Sequence, residues 1–289
     1  MKLIKSLTGL ILLIITLITF YYVFFRPPSE VYRTQERGEE QKTTGGKARA
    51  PAVPDYPSQH LGCAEGKGAI AIIIDDIGYS LAPVDQLLAI GAPLAFAVLP
   101  HSPHARAAAE MIHGQGREIL LHLPMEPRNG KQNPGPGALF RSMMAEDLRQ
   151  QLDDDLAAVP YVVGVNNHMG SAFMEDEEKL QVVLVELQKK GLFFIDSRTT
   201  SASRAEGLAR KTGIRFAARR LFLDNDRDRE LIFKNLLNHV RRRNNSSLLI
   251  IGHPYPGTVG ALREAIPLLQ SQGIRIVPPS ELVAIIGQR

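Results

Sequence analysis

The chain opens with an uncharged stretch. Residues 6–25 carry no charged side chain, with Lys2 and Lys5 before them and Arg26 after. A run of about 20 apolar residues is the length of a bilayer-spanning helix. A cleaved signal peptide needs a small-residue site just past its apolar core. Phe24-Phe25-Arg26-Pro27-Pro28 offers none, and Ala48-Arg49-Ala50 lies too far downstream. An uncleaved single-pass anchor over 6–25, after a short tail of residues 1–5, is therefore expected. Basic residues flank the span on both sides (Lys2 and Lys5; Arg26, Arg33 and Arg37), so charge does not set its orientation. Residues 26–67 read as a flexible linker: five prolines block helix, Thr43-Thr44-Gly45-Gly46 adds flexibility, and the charges alternate in sign.

From residue 68 onward short apolar runs alternate with amphipathic stretches. Continuous β-branched runs, such as Ile72-Ile73-Ile74, suit strands buried on both faces. Strands are expected over 69–74, 94–99, 119–123, 161–165, 192–195, 214–216, 248–251 and 274–277. Helices are expected over 84–90, 105–113, 177–190, 202–211, 226–243 and 259–270. Another is placed by Leu148, Leu152 and Leu156, which recur on one helical face. Seven or eight βα units over 68–289 predict an α/β fold, either a (β/α) barrel, complete or not, or a large doubly wound sheet. The loop over 127–138, rich in Pro and Gly, is expected to shape a cleft.

Composition narrows the chemistry. The net charge of +4 is too weak to argue for nucleic acid. Cys63 is the only cysteine, so an internal disulfide and a thiolate metal cluster are both excluded. A metal site must use His, Asp and Glu. No Gly-x-Ser-x-Gly elbow, phosphate loop or dinucleotide fingerprint occurs.

Polar residues gather where the expected strands end. Asp75 and Asp76 follow Ile72-Ile73-Ile74, and His122 follows Ile119-Leu120-Leu121. His168 lies just past Val163-Gly164-Val165 in an Asn-rich loop, Asp196 follows Phe193-Phe194-Ile195, and His253 follows Ile250-Ile251-Gly252. In a barrel these positions open onto the C-terminal face, where active sites form. Each has a plainer reading as a cap, a turn residue or a satisfied core histidine. His101 and His104 read equally well as helix-start residues. Asp224 and Asp226 are expected to cap the helix over 226–243.

Four motifs in order, Ile73-Ile74-Asp75-Asp76-Ile77-Gly78, His122-Leu123-Pro124-Met125-Glu126-Pro127, Asn166-Asn167-His168-Met169-Gly170-Ser171 and Gly252-His253-Pro254, resemble the divergent polysaccharide deacetylase family. That family is related to the NodB-type carbohydrate esterases. The resemblance covers about residues 68–285 and implies a deformed (β/α) barrel descended from metal-dependent deacetylases. It implies Asp75 as general base, Asp76 as metal ligand and His253 as general acid. The chain departs from the NodB pattern twice. Glu126 stands in the region of the second-motif histidine, and the Arg-Pro motif is missing, with His168 in roughly that region. The implied ligand set is Asp76, His122 and His168, with Glu126 as rival or auxiliary. Two histidines and a carboxylate suit catalytic zinc, and also Fe(II). Asp196 is a candidate for orienting His253 or a ligand histidine, His104 an auxiliary residue, and Tyr255 a platform for a sugar ring.

The function expected is removal of acetyl groups from an envelope polysaccharide or oligosaccharide by a hydrolase that uses a divalent metal, with zinc expected. The expected location is the bacterial inner membrane with the domain facing the periplasm, or the periplasm itself if the first segment is cleaved. A non-catalytic descendant that binds glycan or an envelope protein is the alternative, and a phosphoesterase on the same barrel is a third.

Overall fold

The computed structural model describes residues 68–287. The expected anchor over 6–25 and the linker over 26–67 lie outside them. Among the described residues no helix is long and apolar enough to cross a membrane.

Among the described residues eight strands and eight α-helices follow one another. The strands are β1 (Ile70–Ile77), β2 (Ala95–Val98), β3 (Ile119–Met125), β4 (Val162–Met169), β5 (Phe193–Asp196), β6 (Phe216–Ala218), β7 (Leu221–Phe222) and β8 (Leu248–Gly252). The helices are α1 (Ala82–Leu88), α2 (Ala105–Gly114), α3 (Ala145–Ala158), α4 (Glu177–Lys189), α5 (Ala205–Thr212), α6 (Arg229–Arg242), α7 (Pro256–Ser271) and α8 (Pro279–Gly287). The strands form one sheet in the order β6-β5-β4-β3-β2-β1-β8-β7, and every pairing is parallel.

The two ends of that order are close in sequence. Only Arg219 and Arg220 separate β6 from β7, a link that reaches about 11 Å at most. Arg219 N–H bonds the carbonyl of Asp196 on β5, while Arg220 N–H bonds that of Leu249 on β8. The sheet therefore curls until its ends meet at this link. No ladder joins β6 to β7, so the result is a parallel, incompletely closed barrel.

The period of two in the strands sorts the core into two layers. On β1, Ile70, Ile72 and Ile74 pack outward in a cluster with the helices. Ala69, Ala71 and Ile73 point inward with Ala95, Ala97, Leu120, Phe193, Ile195 and Ile251. Leu282 and Val283 of α8 join that inner cluster and plug the N-terminal end of the barrel. Glu118, just before β3, accepts from the backbone N–H of Ser280 at 3.1 Å and from its hydroxyl, tying down the start of α8.

Some expected boundaries move. The strand expected over 161–165 runs on to Met169, so His168 sits on β4 and not in a loop. Its last positions pair with β3, Leu123 with Asn167 and Pro124 with His168. Polar residues hold strand geometry there because their side chains find partners at the barrel mouth. The strand expected over 274–277 is reduced to one bridge, Ile276 with Ile70. Pro278 and Pro279 follow at once and begin α8. The sequence pattern missed α8, and also β7, which is two residues long. Helix α6 starts at Arg229, with the Asp228 side chain accepting from Leu231 N–H. Asp228 is thus the cap, and the caps expected at Asp224 and Asp226 are corrected.

Candidate metal and catalytic site

The site begins with a break in strand geometry. Consecutive strand residues face opposite sides of a sheet, which would part Asp75 from Asp76. Between Ile74 and Ile77 the β1 register shifts, and Asp76 adopts φ +57°. The left-handed conformation is tolerated by Asp better than by most residues. It turns both carboxylates toward one imidazole: His122 Nε2 lies 3.6 Å from Asp75 Oδ2 and 3.2 Å from Asp76 Oδ1. Gly78 completes the turn at φ +125°, where a Cβ would fall 1.9 Å from Ser102 Oγ. The glycine in the Asp75-Asp76-Ile77-Gly78 motif has a steric reason.

His168 arrives from β4. Its Nδ1 is 3.0 Å from Asp76 Oδ1 and 3.1 Å from His122 Nε2. Three donor atoms thus lie at the corners of a triangle with edges of 3.0, 3.1 and 3.2 Å. A cation bound at about 2.0–2.2 Å from each ligand requires edges of about 3.0–3.5 Å. Asp76 Oδ1 is also buried with no hydrogen-bond donor aimed at it. The donor set, its spacing and that orphaned oxygen all fit a divalent cation.

Asn166 fixes which nitrogen of His122 is presented. Its Nδ2 donates to Asp75 Oδ1 at 2.8 Å, so its Oδ1 must face His122 Nδ1, 3.0 Å away. Nδ1 then carries the proton, and Nε2 is turned to the triangle. Asn166 and Asp75 are buried with His122.

His253 enters from the other side, just past β8. Asp224 holds it twice: Oδ1 is 3.0 Å from His253 Nδ1, and Oδ2 accepts the His253 backbone N–H at 2.6 Å. Thr258 Oγ1 donates to the same Oδ2 at 2.7 Å. His253 Nε2 is left free, 3.6 Å from Asp76 Oδ2.

Charge in the site follows these contacts. Burial pushes the Asp75 carboxyl up, against the pull of His122 and Asn166. Burial also opposes the charge on Asp76, but His122 and His168 outweigh it and hold Asp76 well below the ordinary carboxylate range. Burial opposes the charge on His122, yet Asp75 and Asp76 raise it to about 9. His253 is raised too, with Asp224 outweighing its burial.

Asp75, Asp76, His122, His168 and His253 therefore converge, and other expected site residues do not. Glu126 is engaged by Arg141, whose backbone N–H and Nη2 donate to it at 2.7 and 3.1 Å. Asp196 accepts from Arg198 N–H at 2.7 Å, closing its own turn, and bonds no histidine. The orienting role considered for Asp196 belongs geometrically to Asp224. His104 stands at the N-terminus of α2, exposed, its backbone N–H bonded to Gly78. His101 instead meets buried Asp155, 2.9 Å away. Tyr255 stacks against His253 at 5.3 Å, but Arg227 lies 4.0 Å over its ring. A sugar stacking on that face must displace the guanidinium.

Asn166 and Asp224 join the candidate site although the sequence pattern does not place them there. Asn166 lay inside a recognised motif but had no assigned partner. Asp224 carries the same signature as Asp75, an apolar run ending in Asp, here Leu221-Phe222-Leu223. A two-residue strand hid it.

Comparison with known proteins agrees with this architecture. The uncharacterized protein YibQ of Escherichia coli strain K12 is 38% identical over 202 residues, covering 69% of this chain and 62% of that one. The match thus spans less than two thirds of that relative. An uncharacterized protein of Haemophilus influenzae is 32% identical over 233 residues, covering 76% of this chain and 82% of that one. The crystal structure of the uncharacterized protein ATU2773 from Agrobacterium tumefaciens C58 shares the fold. Its TM-score is 0.72 at 22% identity, over 76% of this chain and 91% of that one. Residues 72–283 match the divergent polysaccharide deacetylase family, and the chain belongs to it.

Proposed function

We propose that this protein is a metal-dependent deacetylase acting on an envelope polysaccharide or oligosaccharide. The observation that carries the reading is the triangle of Asp76 Oδ1, His122 Nε2 and His168 Nδ1, flanked by Asp75 and His253. Those three atoms would hold the cation, with zinc as the first choice for two imidazoles and a carboxylate. When bound, such a cation polarises an acyl carbonyl and makes water a better nucleophile.

The chain's own residues supply the proton transfers. Asp75 is the base: it takes the proton of the attacking water on the oxygen not bound by Asn166. Its burial favours accepting that proton. His253 is the acid: its Nε2 delivers a proton to the departing amine or hydroxyl. Asp224 keeps Nδ1 protonated and the ring oriented, and its charge favours the imidazolium before transfer. Asn166 couples the two halves by bonding the base and a ligand imidazole with one amide.

The supporting context is the family, whose description names polysaccharide deacetylation, and the uncharged run over 6–25. On that run we place the domain outside the inner membrane, tethered to it, facing envelope glycan in the periplasm. A non-catalytic glycan- or protein-binding role is the second reading, motivated by Glu126, which is committed to Arg141 where the NodB pattern has a ligand histidine.

Metal analysis of the purified full chain, followed by acetate release from N- and O-acetylated oligosaccharides, tests the reading. Stoichiometric metal and metal-dependent acetate release are expected. Failure to bind any divalent metal sinks it. Metal and glycan binding without acetate release favours the second reading.

A further inference from the structure

One wall of the site is a ladder of planar groups. Arg219 lies 4.7 Å over the Phe222 ring, and Phe222 is 5.1 Å from the His253 ring. His253 stacks with Tyr255 at 5.3 Å, and Arg227 lies 4.0 Å over Tyr255. A cation thus ends the ladder on each side of the candidate general acid.

The two cations differ. Arg219 is half-buried and spends its donors inward, Nε on the Ser197 carbonyl at 2.6 Å and Nη2 on the Arg198 carbonyl at 3.0 Å. Arg227 is exposed, and its guanidinium meets Tyr255 twice: over the ring face, and through Nη2 to the phenol oxygen at 3.2 Å. Among the described residues it has no carboxylate partner. Its acidic neighbours are engaged elsewhere: Asp226 accepts from Asp228 N–H, and Asp228 caps α6. A guanidinium has five N–H donors, so most of the fork remains available.

Arg227 is also held at both ends, its guanidinium by the ring face and phenol oxygen of Tyr255. Its backbone carbonyl packs on the first turn of α7, where a Cβ on Gly257 would fall 2.1 Å from that oxygen. Fixing a long side chain costs rotamer entropy, and a fixed fork loses less of it on binding an anion. Two stacking steps, of 4.0 and 5.3 Å, separate this fork from the His253 ring.

We propose that the substrate carries a carboxylate next to the sugar bearing the scissile acetyl group, and that Arg227 docks it. One planar fork and one negative charge match each other in geometry and in charge. The inference rests on the deacetylase reading for where the acetyl group lies, while carboxylate binding at Arg227 can be measured without turnover.

The probes are an N-acetylated oligosaccharide with a carboxylate on the neighbouring unit and its counterpart in which that acid is reduced to an alcohol. Binding to the full chain is measured by calorimetry, and acetate release in parallel. The wild type should bind the acidic probe at least about tenfold more tightly. That ratio should collapse toward one in Arg227→Gln and persist in part in Arg227→Lys. A wild type without preference overturns the proposal. So does a ratio unchanged in Arg227→Gln, or an equal loss on both probes, which would assign Arg227 to holding Tyr255. Acidic preference with no acetate released under any metal loading would leave carboxylate docking at Arg227 standing and sink the hydrolase reading. Acetate release without preference would do the reverse.

Discussion

The two ends of the barrel are built from the same strands and end in opposite chemistry. At the N-terminal end, Leu282 and Val283 of α8 fill the interior, and Glu118 is the buried charge there, bonded to Ser280. At the C-terminal end, Asp75, His122, Asn166, Asn167, Asp196, Ser197 and Asp224 are buried together. Burying polar groups is costly unless each finds a partner. Most of these do, but Asp196 Oδ2 is left without one, and so is Asp76 Oδ1 beside them. One end is closed to hold the fold, and the other keeps an unmet electrostatic demand to bind with.

That contrast can be broken at either end, beginning with the largest effect. Asp76→Ala removes a corner of the triangle. Metal content by elemental analysis should fall to background and acetate release with it, while the circular dichroism spectrum is retained. His253→Ala should keep the metal and lower kcat by about 10²–10⁴-fold. Metal loss in that variant would place His253 among the ligands. At the sealed end, Leu282→Ala opens a cavity in the inner cluster and should cost about 3 kcal/mol in denaturant unfolding. Its metal affinity should be unchanged, and a coupled loss would show that the two ends are not independent. Asn166→Ala should weaken metal binding by about 10–100-fold, read by competition with a chelator, because His122 loses the partner that orients it.

The smallest effect is a pH slope. Burial raises the Glu118 carboxyl despite the bonds from Ser280. The folded state therefore holds a proton that the unfolded state has released, and stability falls as pH rises from the ordinary glutamate range through the raised folded value. Glu118→Gln cannot titrate, so the fall should become shallower in denaturation midpoints measured across that range, the rest coming from the other raised carboxyls, Asp75 and Asp155. An unchanged slope would place the titration elsewhere.

Much of the fold was legible because parallel strands buried on both faces read as unbroken apolar runs. Ile72-Ile73-Ile74, Phe193-Phe194-Ile195 and Leu249-Ile250-Ile251 all announced themselves, and the polar residue after each marked the mouth. Where burial and pattern part company, legibility failed. Asn166, Asn167 and His168 look like a loop, yet they extend β4 because β3 runs beside them and their side chains find partners on or just past the neighbouring strands β3 and β5. Asp224 looked like a helix cap because its strand is too short to carry a period. Glu126 fell in the right region of its motif, but Arg141, fifteen residues on, takes it.

The sequence by itself determined the class of chemistry available. With one cysteine and no nucleotide or nucleophile motif, it left imidazole and carboxylate at strand ends, on an alternating βα chain behind an apolar segment. Only the tertiary structure decided which of those groups meet. The reason is geometric: the triangle needs atoms from β1, β3 and β4 within 3.2 Å, and the tether on His253 needs Asp224 from beyond β7. Such distances depend on the β1 register shift, the left-handed turn at Asp76 and the curl that brings β7 beside β8. Those are properties of packed strands and are not carried by any one residue's spacing along the chain.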